Sequence, residues 1–174
     1  MNVKRGWMIT RLETSDPLIP IYSEYLAYMS RFFKITHYHS WIEGALNNLH
    51  RYVLEEAHQA YMVQESGAVI GLALINQHLR FNSQGFAVAE FFIQKPHEKK
   101  GYGRRLAEHL FKTLPGPWEV AVTSTNHKAL KFWEKVVTAF TLGQFKQENK
   151  AGFTGFIFGR VPAWKPVQDR PSAQ

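Results

Sequence analysis

Leu106, Leu110 and Leu114 recur every four residues, with Ala107 and Phe111 on the same face, and this period predicts a helix. Just before it, Ala89 to Ile93 is a compact apolar run with Glu90 inside it, which predicts a strand. Gly101 and Gly103 fall between the two periods, so the segment reads as strand, glycine turn, helix. The same contrast organises the rest of the chain. "WMITRLE" predicts a short first strand. Asp16-Pro17 opens a helix carrying Ile19, Tyr22, Leu26, Met29 and Phe33. A second helix is expected between Ser40 and Glu56, with Ile42, Leu46, Leu49 and Val53 on one face. The loop "KITHYHSW" between them places His37 and His39 two residues apart.

"AYMVQES" alternates, Ser66-Gly67 turns, and "AVIGLALINQHL" is apolar on both faces, as a central strand is. "FAVAEFFIQ" is the strand before the glycine turn. After the helix, Pro115-Gly116-Pro117 breaks the chain and "WEVAVTST" forms a short buried strand. Asn126 caps a last helix with Ala129, Phe132, Trp133, Val136, Val137 and Phe140 on its apolar face. Two strands then flank Asn149 to Gly152. The order β-α-α-β-β-β-α-β-α-β-β defines a mixed α/β domain over residues 1–161, followed by a polar, proline-containing tail over 162–174. One strand–helix–strand crossover, Phe86 to Thr125, requires its two strands to run parallel.

Composition narrows the chemistry. With 45% hydrophobic residues in 174, the chain has the apolar content for one substantial core. It holds no cysteine, which excludes disulfides, thiolate metal sites and a cysteine nucleophile. No apolar run reaches about 18 residues and the N-terminus lacks an apolar leader, so no membrane association is expected and the expected location is cytoplasmic. The net charge of +7 suits a polyanionic partner or only a solvated surface. Basic and aromatic residues do not alternate along it, so nucleic acid is not an expected partner. No histidine spacing matches a metal site.

The glycine turn is where the charge has a position. Lys99, Lys100, Arg104 and Arg105 crowd around a helix N-terminus, whose first N–H groups have no internal partner and attract anions. A P-loop requires Lys-Ser/Thr after its last glycine, and Arg104-Arg105 stands there instead. A dinucleotide fingerprint requires Gly or Ala where Leu106 stands.

"HEKKGYGRRL" resembles the acetyl-CoA-binding signature of the GNAT superfamily of N-acetyltransferases, and "TNHKALKFWEKV" resembles that family's later segment, Asn-x-x-Ala-x-x-aromatic-aromatic-Glu. "AEFFI", "PGPWEVAV" and "KFWEKV" are similar to a bacterial branch of predicted acetyltransferases. The likeness spans roughly Trp7 to Val161. It implies an α/β (α+β) fold with a mixed, mostly antiparallel central sheet and one βαβ crossover. It also implies acetyl-CoA as cosubstrate, no metal, and transfer of acetyl to a primary amine of a small molecule or peptide by direct attack on the thioester. A homodimer stays open.

Residue by residue, the resemblance implies that Glu98, Lys99, Lys100, Gly101, Tyr102, Gly103 and Arg104 wrap the pyrophosphate. Phe91, Phe92 and Ile93 pair with the pantetheine arm, and Asn126, Phe132 and Trp133 lie along its other side. Glu98 departs from the family, which has Gln or Arg there. Lys99 and Lys100 are expected to offset its charge.

Acetyl transfer to an amine needs a base, donors for the carbonyl oxygen as charge builds there, and a proton for the thiolate. The resemblance assigns the donor to a backbone N–H of Phe92 or Ile93 and the base to Glu90, the one acid in "FAVAEFFIQ". An acid in so apolar a run has a raised pKa. By strand parity it faces away from Ile93 unless a bulge intervenes. Trp133 stands where the family carries an acidic tyrosine; Tyr102, Tyr22, Tyr25 and Tyr28 are the alternatives. Tyr22, Tyr25, Tyr38 and Trp41 flank the family's substrate groove. The rival expectations are a non-catalytic acyl-CoA-binding module and, from charge alone, a nucleic-acid binder.

Overall fold

The computed structural model describes residues 6–159, so the expected domain limit at Val161 and the tail 162–174 lie outside the described residues. Strands β1 (Trp7–Arg11), β2 (Gln59–Glu65), β3 (Ala68–Asn76), β4 (Phe86–Ile93), β5 (Trp118–Thr123), β6 (Lys146–Lys150) and β7 (Phe153–Phe158) form one sheet. Its order is β1-β2-β3-β4-β5-β7-β6, and every neighbouring pair is antiparallel except β4 and β5. The helices are α1 (Ile19–Met29), α2 (Tyr38–Leu49), α3 (Arg51–Leu54), α4 (Tyr102–Thr113) and α5 (His127–Thr141). The mixed, mostly antiparallel sheet and its single parallel crossover are those expected.

Two apolar layers sandwich the sheet. On one face, Leu18, Ile21, Tyr22, Tyr25 and Leu26, with Leu49 of α2, pack on Ala60, Leu72 and Leu74. On the other, Leu106 and Leu110 of α4 and Trp133, Val136 and Val137 of α5 pack on Val63, Ile70, Val88, Val120 and Phe156. A fully buried leucine contributes about 1.5–3 kcal/mol, so the four-residue repeat of α4 alone fixes that helix to the sheet.

Two local expectations change. The helix expected over Ser40–Glu56 is divided, α2 ending at Leu49 and a short α3 following His50. Asn47 and Asn48 sit in the last turn of α2, and asparagine side chains compete with helical backbone bonds. His39, expected on a loop, lies in the first turn of α2, while His37 occupies its N-cap position.

The parallel pairing is short, and this matters most for function. β4 meets β5 only at Phe86–Trp118 and Ala87–Glu119. Just beyond, the β3–β4 register slips: Leu74 faces Glu90 and Ile75 faces Val88, so Ala89 is an extra residue. Such a bulge bends its strand, and from there β4 and β5 diverge.

Candidate active site

The gap between β4 and β5 has a polar backbone on its β4 side. The Gln94 N–H bonds the Ile70 carbonyl of β3. Strand alternation then turns the N–H and C=O of Phe92 toward β3 as well. Those of Phe91 and Ile93 face the gap, where β4 has no strand partner. Phe92, expected as one of two backbone donors, is therefore engaged with β3, and Ile93 is the one of the pair that faces the gap.

Glu90 sits on the α1 side of β4, opposite Phe91 and Ile93, because the bulge at Ala89 precedes it and leaves the later alternation intact. The carboxylate is partly buried, and the Tyr25 hydroxyl donates to its Oε2. Burial raises the Glu90 pKa to about 7, against the opposing pull of the Tyr25 hydrogen bond. Tyr25 is 4% exposed. Burial first, then the Glu90 charge, pushes its phenol well above the usual range. Tyr22 is raised by the same two causes. Phe92 closes this face, its ring centroid 5.6 Å from that of Tyr25 and 6.2 Å from that of Tyr28.

The loop after β4 turns through left-handed backbone at Lys99 (φ +61°) and Gly101 (φ +87°), the latter capping α4. Left-handed backbone is ordinary for glycine but strained for lysine, and such strain gathers at binding loops. Gly103 serves differently from the expected turn: it lies inside the first turn of α4, and a Cβ there would stand 3.2 Å from the Phe132 ring. Its bare backbone lets α5 approach α4.

The two arginines at this loop have separate partners. Arg104 bonds Glu108 at 2.6 Å, and the Arg105 guanidinium lies 5.0 Å from the Trp7 ring centroid. Lys99 and Lys100 are exposed. Glu98 is paired by Lys128 of α5. Tyr102 turns its hydroxyl to Glu65 at the end of β2, whose other oxygen meets His97 Nδ1 at 2.9 Å. That contact turns the Tyr102 hydroxyl toward β2 and ties both ends of the loop to Glu65.

Across the gap, Asn126 spends its Oδ1 on the Ala129 N–H, as a cap. Phe132 is partly buried and stacks near Phe91 at 5.7 Å. Trp133 is 4% exposed, packed between Phe91 and Phe111 at 4.7 and 6.4 Å, and belongs to the core. Of the expected substrate-groove aromatics, Tyr38 lines a cavity of about 520 Å³ between α1 and α2, with Ser23, His39 and Glu43, while Tyr22 and Tyr25 pack on the sheet. Among the described residues no cluster of three acidic or histidine side chains could hold a metal, and no helix is long and apolar enough to cross a membrane.

Sequence reasoning named Tyr25 without selecting it, and missed Glu65 and Lys128. Tyr25 was one of several equivalent tyrosines, and only the packing of α1 on β4 selects it. Glu65 and Lys128 lie at the ends of elements, where periodicity is silent.

The sequence model of the acetyltransferase (GNAT) family matches residues 20–137. The chain belongs to that family. It is an N-acetyltransferase by class. PaiA N-acetyltransferase of Thermoplasma acidophilum, solved in complex with coenzyme A, superposes with a TM-score of 0.63 at 16% identity, over 88% of this chain and 99% of that one. Spermidine N-acetyltransferase of Vibrio cholerae, in complex with CoA and spermine, gives 0.57 at 15%, over 87% and 95%. A ribosomal-protein alanine N-acetyltransferase of Escherichia coli gives 0.57 at 16%, over 94% and 99%. No curated protein sequence matches the chain.

Proposed function

We propose that this N-acetyltransferase moves the acetyl group of acetyl-CoA to a primary amine of a small molecule or peptide, with Glu90 as base. The observation that carries this reading is the position of Glu90. A partly buried carboxyl, titrating near neutrality, stands beside a strand whose backbone is open to a gap. Bound acetyl-CoA supplies the thioester carbonyl that the amine attacks. The gap-facing N–H and C=O groups of Phe91 and the C=O of Ile93 suit the amides of the pantetheine arm. The loop from Glu98 to Arg104 suits the pyrophosphate, with Lys99 and Gly101 left-handed and the first N–H groups of α4 unbonded within the helix.

The residues divide the work. The Ile93 N–H donates to the carbonyl oxygen as negative charge builds on it. Glu90 takes the proton that the amine gives up on forming the new C–N bond. Tyr25 holds that carboxylate, and the chain's aromatic wall of Phe91 and Phe132 keeps water from the arm. The C–S bond breaks, and the thiolate takes a proton from water or from protonated Glu90. Trp133 is too deeply packed to serve. A cytoplasmic location is part of this proposal, and a chain without cysteine is compatible with a reducing compartment.

The test is release of free coenzyme A thiol from acetyl-CoA in the presence of a panel of small amines and peptide amines. Amine-dependent release is expected. Acetyl-CoA binding without release for any amine would favour the non-catalytic acyl-CoA-binding module instead.

A further inference from the structure

Glu98 and Lys128 face each other across the mouth of the gap. Glu98 lies in the loop that trails β4, and Lys128 in the first turn of α5, which trails β5. Because the strands diverge beyond Ala87 and Glu119, a bond between their trailing elements spans the opening. The Lys128 ammonium donates to both oxygens of Glu98, at 2.5 and 2.7 Å. The Lys128 side chain is 62% exposed and that of Glu98 27%, so the bond can open without disturbing the core.

The geometry explains why a carboxylate is tolerated in a loop otherwise built for an anion. Glu98 is followed by left-handed Lys99 and Gly101 and by the N-terminus of α4. Its carboxylate is held by the Lys128 ammonium. We propose that Lys128 is a phosphate-binding residue of the cofactor site and that Glu98 is its competitor: a phosphate of acetyl-CoA displaces the carboxylate and takes the ammonium. This rests on the acetyl-CoA reading above. Glu98 then lowers cofactor affinity by occupying the ammonium that the phosphate needs, and Lys128 raises it.

The experiment is calorimetric titration of acetyl-CoA, and of pantetheine, into the wild type, Glu98→Gln, Lys128→Ala and the double variant. Unfolding midpoints serve as a check that all are folded. An exposed ion pair is worth little, so changes of about three- to tenfold are expected. Glu98→Gln should bind acetyl-CoA more tightly and Lys128→Ala more weakly. In the Lys128→Ala background, the gain from Glu98→Gln should shrink. Pantetheine carries no phosphate, so neither substitution should change its binding. Unchanged or weaker acetyl-CoA binding by folded Glu98→Gln would overturn the proposal alone. A wild type that binds no acetyl-CoA would overturn the functional reading and this proposal with it.

Discussion

Two glutamates stand at the two ends of one strand pair, and they are built in opposite ways. At the closed end, Glu119 of β5 is 1% exposed and accepts three backbone N–H bonds, from Arg80, Phe81 and Asn82 at 2.6, 3.0 and 2.8 Å. At the open end, Glu90 has one donor, the Tyr25 hydroxyl, and titrates near pH 7. Burial is common to both. What differs is the number of donors to the carboxylate: three backbone N–H groups make Glu119 an anchor for the 77–85 loop, and Glu90 has a single side-chain donor.

The most severe way to break this contrast is Glu90→Gln. The amide keeps the shape but accepts no proton, so turnover should fall about 10²–10⁴-fold. Acetyl-CoA affinity by calorimetry should change little, since the carboxylate faces α1 and not the cofactor loop. Retained activity would move the role of base to water.

Next comes Glu119→Ala. It strips the acceptor from three N–H groups, and urea unfolding should show a loss on the order of 3 kcal/mol. The folded fraction should keep the wild-type turnover, because the residue lies at the closed end.

A third measurement separates function from stability at Glu90 itself. Below about pH 4.5 its carboxyl is protonated in the folded and unfolded chain alike, and Glu90→Gln should be neutral. As pH rises toward 7 the unfolded chain ionises first, so the folded chain binds more protons and loses stability. At pH 8 the Glu90→Gln protein should therefore be the more stable by on the order of 3 kcal/mol. Equal stability across pH 4 to 8 would show that Glu90 is not desolvated.

The smallest effect sharpens the comparison instead of breaking it. Tyr25→Phe removes the hydrogen bond that lowers the Glu90 pKa, so the acidic limb of the pH–rate profile should move upward. A purely structural tyrosine would lower the rate at every pH without moving the limb.

Much of this arrangement is legible in the sequence, and the boundary follows a physical line. Features set by neighbours along the chain are readable: the four-residue repeat of α4, the Asn126 cap, the two-faced apolar β3, and the crossover that makes β4 and β5 parallel. Features set by the approach of distant elements are not. The Tyr25–Glu90 bond joins residues 65 apart, and three first-helix tyrosines look alike until α1 is packed. Gly103 reads as a turn glycine because nothing local shows the Phe132 ring above it. Trp133 matches a motif position in sequence but sinks between Phe91 and Phe111, leaving Phe132 at the surface of that wall. Strand parity gave the facing of Glu90 correctly; it could not place the bulge at Ala89.

That single extra residue has a larger consequence than its size suggests. An open sheet ordinarily has two edges, and proteins take care to blunt them, since an unpaired strand is a template for any extended chain. By peeling β4 off β5, the bulge gives this sheet four edges, two of them indoors. The inner pair keeps the template's appetite for amide groups. The α4 and α5 helices roof it on one side, so only something slim enough to enter end-on can satisfy it. Straightening β4 by deleting Ala89 would let the two strands zip together, trading a receptor for a better-bonded sheet.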